Sequence, residues 1–328
     1  EMEVFFALCP CRIFAVTGSD GKTTTSTLIS EFLKAEGKQV HLGGNIGRAL
    51  LPEIEQIRPE DVCVVELSSF QLISMRRSPD VAVITNISPN HLDVHGTMEE
   101  YVDAKKNILW HQDGCSRAVL NLDNPPTAAL APLVRGSLSW FSRMKRPERG
   151  AFLDGEGWLW RCCGPEAERL LHQDEIRIPG MHNVENYLTA ISAVGQEVSI
   201  QSIQRVAREF GGVEHRIEFV RELEGVRYYN DSIASSPTRT MAGLDSFRQK
   251  IIVIAGGYDK KIPYAPLAPK LLEKAKAVVL MGATAARIEE ALRECPGFAE
   301  SGIRLAYANT MEEAVQAARS LACPGDIV

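Results

Sequence analysis

Short apolar runs separated by longer segments of helical period organise the chain. Residues 12–16, 61–66, 80–85 and 117–121 are dominated by Val, Ile, Ala and Cys with little polar alternation. Runs of this kind predict strands covered on both faces, and the helical stretches between them predict a mostly parallel α/β sheet. Between residues 150 and 178 the pattern changes. Ala151-Phe152-Leu153-Asp154-Gly155-Glu156-Gly157-Trp158-Leu159-Trp160 places apolar positions on either side of a Gly-rich turn and predicts a small antiparallel sheet appended to the first core.

Two amphipathic helices are expected over 182–210, after which Gly211-Gly212 breaks the period. A second strand-helix series follows, with strands at 225–230, 251–255, 277–281 and 304–307. That series predicts a small Rossmann-like sheet. The expected organisation is a P-loop domain over 1–212 and a Rossmann-like domain over 213–328. Both ends read as cuts in a longer protein, because a strand begins near the start and a new apolar strand opens at Asp326-Ile327-Val328.

Composition agrees with two full cores, since 45% of the 328 residues are hydrophobic. The net charge of -6 and the lack of a dense Lys/Arg run give no footprint for nucleic acid or an anionic membrane. No apolar run reaches the roughly 20 residues of a membrane span, so a cytoplasmic monomer is expected. The eight cysteines form no C-x-x-C pair, and reduced thiols are expected rather than a metal or disulfide framework.

Candidate chemistry starts at Val16-Thr17-Gly18-Ser19-Asp20-Gly21-Lys22-Thr23-Thr24, set between an apolar strand and a helical run. Glycines let backbone N–H groups approach phosphate oxygens, the helix N-terminus adds positive potential, Lys22 can bridge the β- and γ-phosphates, and Thr23 can ligate magnesium. The loop is one glycine short of the G-x-x-x-x-G-K form, with Val16 at the first position. Glu66 ends an apolar strand, at the edge of the sheet where ligands bind, and suits magnesium beside that loop. His91 and His95 share a loop after another strand; the spacing is wrong for a tight zinc site, and His91 suits magnesium or a carboxylate, while His95 reads as a loop hydrogen-bonder. Lys105 and Lys106 lie on a predicted helix, where the residues alone predict solvated lysines.

Together these segments resemble the Mur ligase superfamily, whose phosphate loop reads T-G-x-x-G-K-[ST]. Gly43-Gly44-Asn45-Ile46-Gly47, Glu66-Leu67-Ser68-Ser69-Phe70-Gln71-Leu72 and His215-Arg216 with Asn230-Asp231-Ser232 narrow the likeness to the branch that joins D-glutamate to UDP-N-acetylmuramoyl-L-alanine. The resemblance implies ATP and two magnesium ions as cofactors, with Gly18 to Thr24 on the phosphates and Thr23, Glu66 and His91 on metal. Lys105 matches the family's carbamylated lysine, an anionic metal ligand. Asn183 and Asn186 match the adenine contacts, Asp231 the ribose acid, and Arg216 the arginine on the phosphates. Asn45, His91, Ser235 and Lys260 match substrate contacts, Lys260 being the lysine opposite a D-glutamate carboxylate.

Ile233 stands where the family has lysine, Ser235 where it has threonine, and Asn90 where it has aspartate. The implied mechanism is attack of a carboxylate on the γ-phosphate, then attack of the amine of D-glutamate on the acyl phosphate. With an N-terminal uridine-binding domain and the C-terminal end both missing, this chain is expected to bind Mg-ATP without completing ligation. Other Mur-type or folylpolyglutamate-type ligases, and a non-catalytic ATP-binding module, share the phosphate loop and stay open as alternatives.

Overall fold

A computed structural model describes residues 1–88, 95–234, 237–259 and 263–328. The sequence-predicted sites His91, Ser235 and Lys260, with Asn90, lie outside the described residues. The chain divides into two compact units, one of residues 1–177 and 181–210, the other of 178–180 and 211–328.

The first unit is built on a nine-stranded sheet ordered β2-β3-β1-β4-β5-β6-β7-β8-β9. Its strands are β1 (Arg12–Thr17), β2 (Val40–Gly44), β3 (Val62–Glu66), β4 (Val81–Ile84), β5 (Arg117–Asn121), β6 (Ser137–Ser142), β7 (Arg149–Leu153), β8 (Trp158–Cys163) and β9 (Glu166–His172). Strands β1 to β7 pair in parallel, and β8 and β9 add to the edge in antiparallel order. The antiparallel turn region therefore extends the main sheet through the β6–β7 pairing.

Every residue of β3 and β4 is buried, as are five of the six in β1, because helices cover both faces. One face carries Ile13, Ala15, Cys63, Val65, Ala82 and Ile84 against Phe5, Phe6, Tyr101 and Ile108. On the other, the helix Lys22–Ala35 packs against the helix Met181–Val194, where Phe32 meets Tyr187 edge to face at 5.9 Å. The chain passes from β1 to the β2–β3 side and then crosses to β4 on the opposite side of β1. That reversal opens a crevice at the carboxyl ends of β1, β3 and β4, where ligands bind in open α/β sheets.

In the second unit, β10 (Glu218–Leu223) and β11 (Val226–Asn230) form an antiparallel hairpin, and β12 (Ile251–Gly256), β13 (Ala275–Met281) and β14 (Arg304–Ala308) form a parallel sheet. The hairpin turns at Glu224 and Gly225, both at positive φ (53° and 76°), the signature of a two-residue type I′ turn. Helices Ala268–Lys274 and Ala285–Glu294 pack on this sheet with Leu271, Ile288 and Leu292, and the helix Met311–Leu321 covers Ala277 and Val279 with Ala314 and Ala318. The strand expected at 225–230 is β11, paired in the hairpin. Ile327 joins the two sheets: Arg227 and Tyr229 donate to the carbonyls of Asp326 and Val328, and Ile252 donates to that of Ile327. No helix among the described residues is long and apolar enough to cross a membrane.

Candidate functional site

The loop between β1 and the helix Lys22–Ala35 closes over the crevice. Gly18 has φ 148°, and a Cβ there would sit 1.9 Å from Thr85 Oγ1; Gly21, at φ 77°, caps the helix in the left-handed region, where a Cβ would sit 2.4 Å from Asn186 Oδ1. Both positions require glycine, sterically and conformationally. Thr85, at the end of β4, donates its hydroxyl to the Asp20 carbonyl at 2.6 Å, and the Asp20 N–H donates to Asn86 Oδ1 at 3.0 Å. The loop is thus tied to the neighbouring strand, with the N-terminus of a 14-residue helix behind it. Gly18→Ala is expected to weaken Mg-ATP-analogue binding at least about tenfold (1.4 kcal/mol), measurable by calorimetry, with unchanged affinity as the contrary result.

Two lysines meet on one carbonyl. Lys22 Nζ donates to the carbonyls of Gly18 (3.0 Å) and Ser19 (2.9 Å). Lys105 Nζ donates to the same Gly18 carbonyl at 2.9 Å and to Thr17 Oγ1 at 3.3 Å, and lies 4.6 Å from the centre of the Tyr101 ring. Lys105 is only 1% exposed, so the expectation of a solvated lysine is overturned for this residue, while Lys106 pairs with Asp103 at the surface. Burial, and secondarily the charge of Lys22, bring the Lys105 amine down to about 7, against weaker opposing pulls from Asp20 and Glu66. A signal for this burial exists in the sequence. The buried positions of the helix Met98–Trp110 are Tyr101, Ala104, Lys105, Ile108 and Leu109, so Lys105 occupies the apolar stripe.

Glu66, 2% exposed at the end of β3, accepts from Thr23 Oγ1 (2.8 Å) and from Asn45 Nδ2 (2.9 Å). A carboxylate buried beside a Thr hydroxyl is a hard-oxygen donor set suited to magnesium, and a cation there offsets the cost of burying the charge. The backbone Asn45 N–H donates to the Glu66 carbonyl at 2.8 Å, so the β2–β3 register fixes Asn45 at this edge. Ser19, buried beneath the loop, bonds Tyr101 Oη at 3.0 Å and donates to the Ser88 carbonyl. Tyr101 was invisible as a site residue in sequence, and Thr17, Thr85 and Asn86 were visible only as members of their loop segments, since their individual roles depend on contacts between strand ends.

Asn183 and Asn186 sit on one face of the helix Met181–Val194, with the Asn186 amide donating to Asn183 Oδ1 at 3.2 Å and Thr25 donating to Asn186 Oδ1 at 3.3 Å. The structure brings both beside the start of the loop helix. His95 is buried, bonds Ser69 Oγ at 2.9 Å through Nε2 and stacks on Phe70, in keeping with a hydrogen-bonding role.

In the second unit Arg216 lies between His215 and Ile217, whose φ values of 64° and 42° are strained for side-chain-bearing residues. Asn230 donates to His215 Nδ1, and the Ile217 N–H donates to Asp231 Oδ1 at 3.2 Å. Burial raises the Asp231 carboxyl, opposed by that N–H and by the charge of Arg216. Ile233 is 44% exposed at this edge.

Residues 16–194 match the Mur ligase middle domain and residues 215–328 the Mur ligase glutamate ligase domain. Among relatives, the UDP-N-acetylmuramoylalanine–D-glutamate ligase of Acetivibrio thermocellus is 54% identical across the whole of this chain and 71% of its own length. The enzyme of the same name from Clostridium kluyveri is 49% identical, with 70% of its length covered. Among solved structures, a UDP-N-acetylmuramoyl-L-alanyl-D-glutamate–2,6-diaminopimelate ligase shares the fold at a TM-score of 0.71 and 21% identity, covering 97% of this chain and 72% of that one. The UDP-N-acetylmuramate-alanine ligase of Thermotoga maritima does so at 0.68 and 19%, covering 97% and 71%.

Proposed function

Since this chain belongs to the Mur ligase family, we propose that the crevice around Gly18 to Thr24 is where it activates a carboxylate with ATP. The activity is ATP-dependent joining of D-glutamate to UDP-N-acetylmuramoyl-L-alanine, a step of peptidoglycan precursor synthesis. The observation that carries the site assignment is the convergence of the glycine-bounded loop, buried Glu66 and buried Lys105 at one sheet edge.

Within this reading, backbone N–H groups of Ser19 to Thr24 and the Lys22 ammonium hold the phosphates and offset charge as the γ-phosphoryl moves to the acceptor carboxylate. Thr23 and Glu66 would hold a first magnesium, and Lys105, as a carbamate, together with His91 would hold a second. Magnesium bound there would supply hard positive charge that offsets the negative charge of the phosphates. In the first unit Asn183 and Asn186 would contact the adenine and Asn45 the substrates; in the second, Arg216, Asp231, Ser235 and Lys260 keep the nucleotide and substrate roles that the family resemblance implies for them. The Lys105 pKa near 7 favours this assignment, because only a neutral amine adds to carbon dioxide.

The test is phosphate release with UDP-N-acetylmuramoyl-L-alanine and D-glutamate, compared with L-lysine or a folate acceptor. Release dependent on D-glutamate is expected; release with another acceptor in its place refutes the assignment. Glu66→Gln, which keeps an acceptor oxygen for Thr23 but removes the charge, is expected to raise the magnesium concentration for half-maximal turnover at least about tenfold. An unchanged magnesium dependence places the first metal elsewhere.

A further inference from the structure

We propose that Cys9, Cys11 and Cys63 form a thiolate site for a soft divalent cation of the zinc class, at the end of β1 and β3 opposite the phosphate loop. The sequence reads as unconnected thiols because no C-x-x-C pair occurs, and Cys63 lies 52 positions beyond Cys11. Pairing of β1 with β3 removes that separation, setting Ile13 opposite Cys63. The Cys9 sulfur lies 3.7 Å from those of Cys11 and Cys63, which are 3.5 Å from each other. Zinc–thiolate bonds of about 2.3 Å in a tetrahedron put ligand sulfurs about 3.8 Å apart, so the triangle needs to expand by only a few tenths of an ångström. A disulfide would instead draw one pair to about 2.05 Å and abandon the third sulfur.

The local chain geometry holds the three together. Cys9 ends the helix Met2–Leu8 in extended backbone (φ -62°, ψ 121°), the conformation favoured before Pro10, and Cys11 leads directly into β1. Cys63 is fully buried and Cys11 8% exposed, while Cys9 is half-buried, which leaves the fourth vertex of a tetrahedron on the Cys9 side for water. Metal binding would release the thiol protons to solvent, so it should weaken as pH falls. A cation here would tie the first helix to the starts of the two central strands.

Anaerobic titration of the reduced protein with cobalt(II), followed by zinc, tests the site. One equivalent of cobalt is expected to produce a thiolate-to-metal charge-transfer band that zinc abolishes, and zinc is expected to raise the thermal unfolding midpoint. Cys9→Ser, at the half-buried position, should lose both effects, as should Cys11→Ser. Cys115→Ser and Cys323→Ser, at exposed positions, should keep both. A wild-type protein that gives no such band in excess cobalt overturns the proposal, as does a band that survives Cys9→Ser.

Discussion

Lys22→Ala is expected to bring D-glutamate-dependent phosphate release below about 1% of wild type, since removing a donor preorganised for transition-state charge costs a hundredfold or more. The lysine reaches the carbonyls of its own loop, Gly18 and Ser19, and it opens a helix whose N-terminus already favours anions. In the proposed site its ammonium would therefore sit beside the phosphate oxygens that the backbone N–H groups of the loop would hold. Far-ultraviolet circular dichroism identical to wild type would separate lost chemistry from lost folding. Turnover within about threefold of wild type would remove Lys22 from the phosphate site, because that corresponds to well under 1 kcal/mol.

Lys105→Ala should be almost inactive and partly rescued by a short carboxylate such as acetate, which can stand in for the anionic oxygens of a carbamate. A carbamate keeps one N–H, so only one of the two contacts to Gly18 and Thr17 persists in the modified form. Protein stripped of carbon dioxide should lose activity and regain it with bicarbonate. Because the amine titrates near 7, this recovery should fail as pH drops below 7, where the protonated amine no longer adds to carbon dioxide. The unmodified protein should also gain stability as pH rises from about 7 to 10.5, because the folded-state pKa is depressed and the unfolded chain binds the extra proton in that window. An active alanine variant, or indifference to bicarbonate, would leave Lys105 as a buried amine that supports the loop.

The sequence was most informative where one chain segment determined the outcome. The uninterrupted apolar runs of β1 and β3 announced central strands, and the acid closing the second run, Glu66, could only emerge at the ligand edge. Lys105 was harder, because it and Lys106 are neighbours on a helix and point about 100° apart; only the stripe through Tyr101 and Ile108 distinguishes them. Strand β10 left no trace in the pattern, since Arg221, Glu222 and Leu223 are exposed and no face is consistently apolar. Asn86, Tyr101 and the cysteine triangle needed the order of β3, β1 and β4 before their proximity meant anything.

The single carbonyl of Gly18, shared by two lysine nitrogens, makes the two principal predictions interdependent. Removing Lys22 deletes a like charge that holds the Lys105 amine low, so the remaining lysine should become more basic and less reactive toward carbon dioxide. A substitution at the start of one helix would then reduce a modification on another, 83 positions away in sequence but on the same carbonyl. In a double-mutant cycle the combined loss should fall short of the sum of the single losses, and the shortfall measures how far one lysine governs the chemistry of the other.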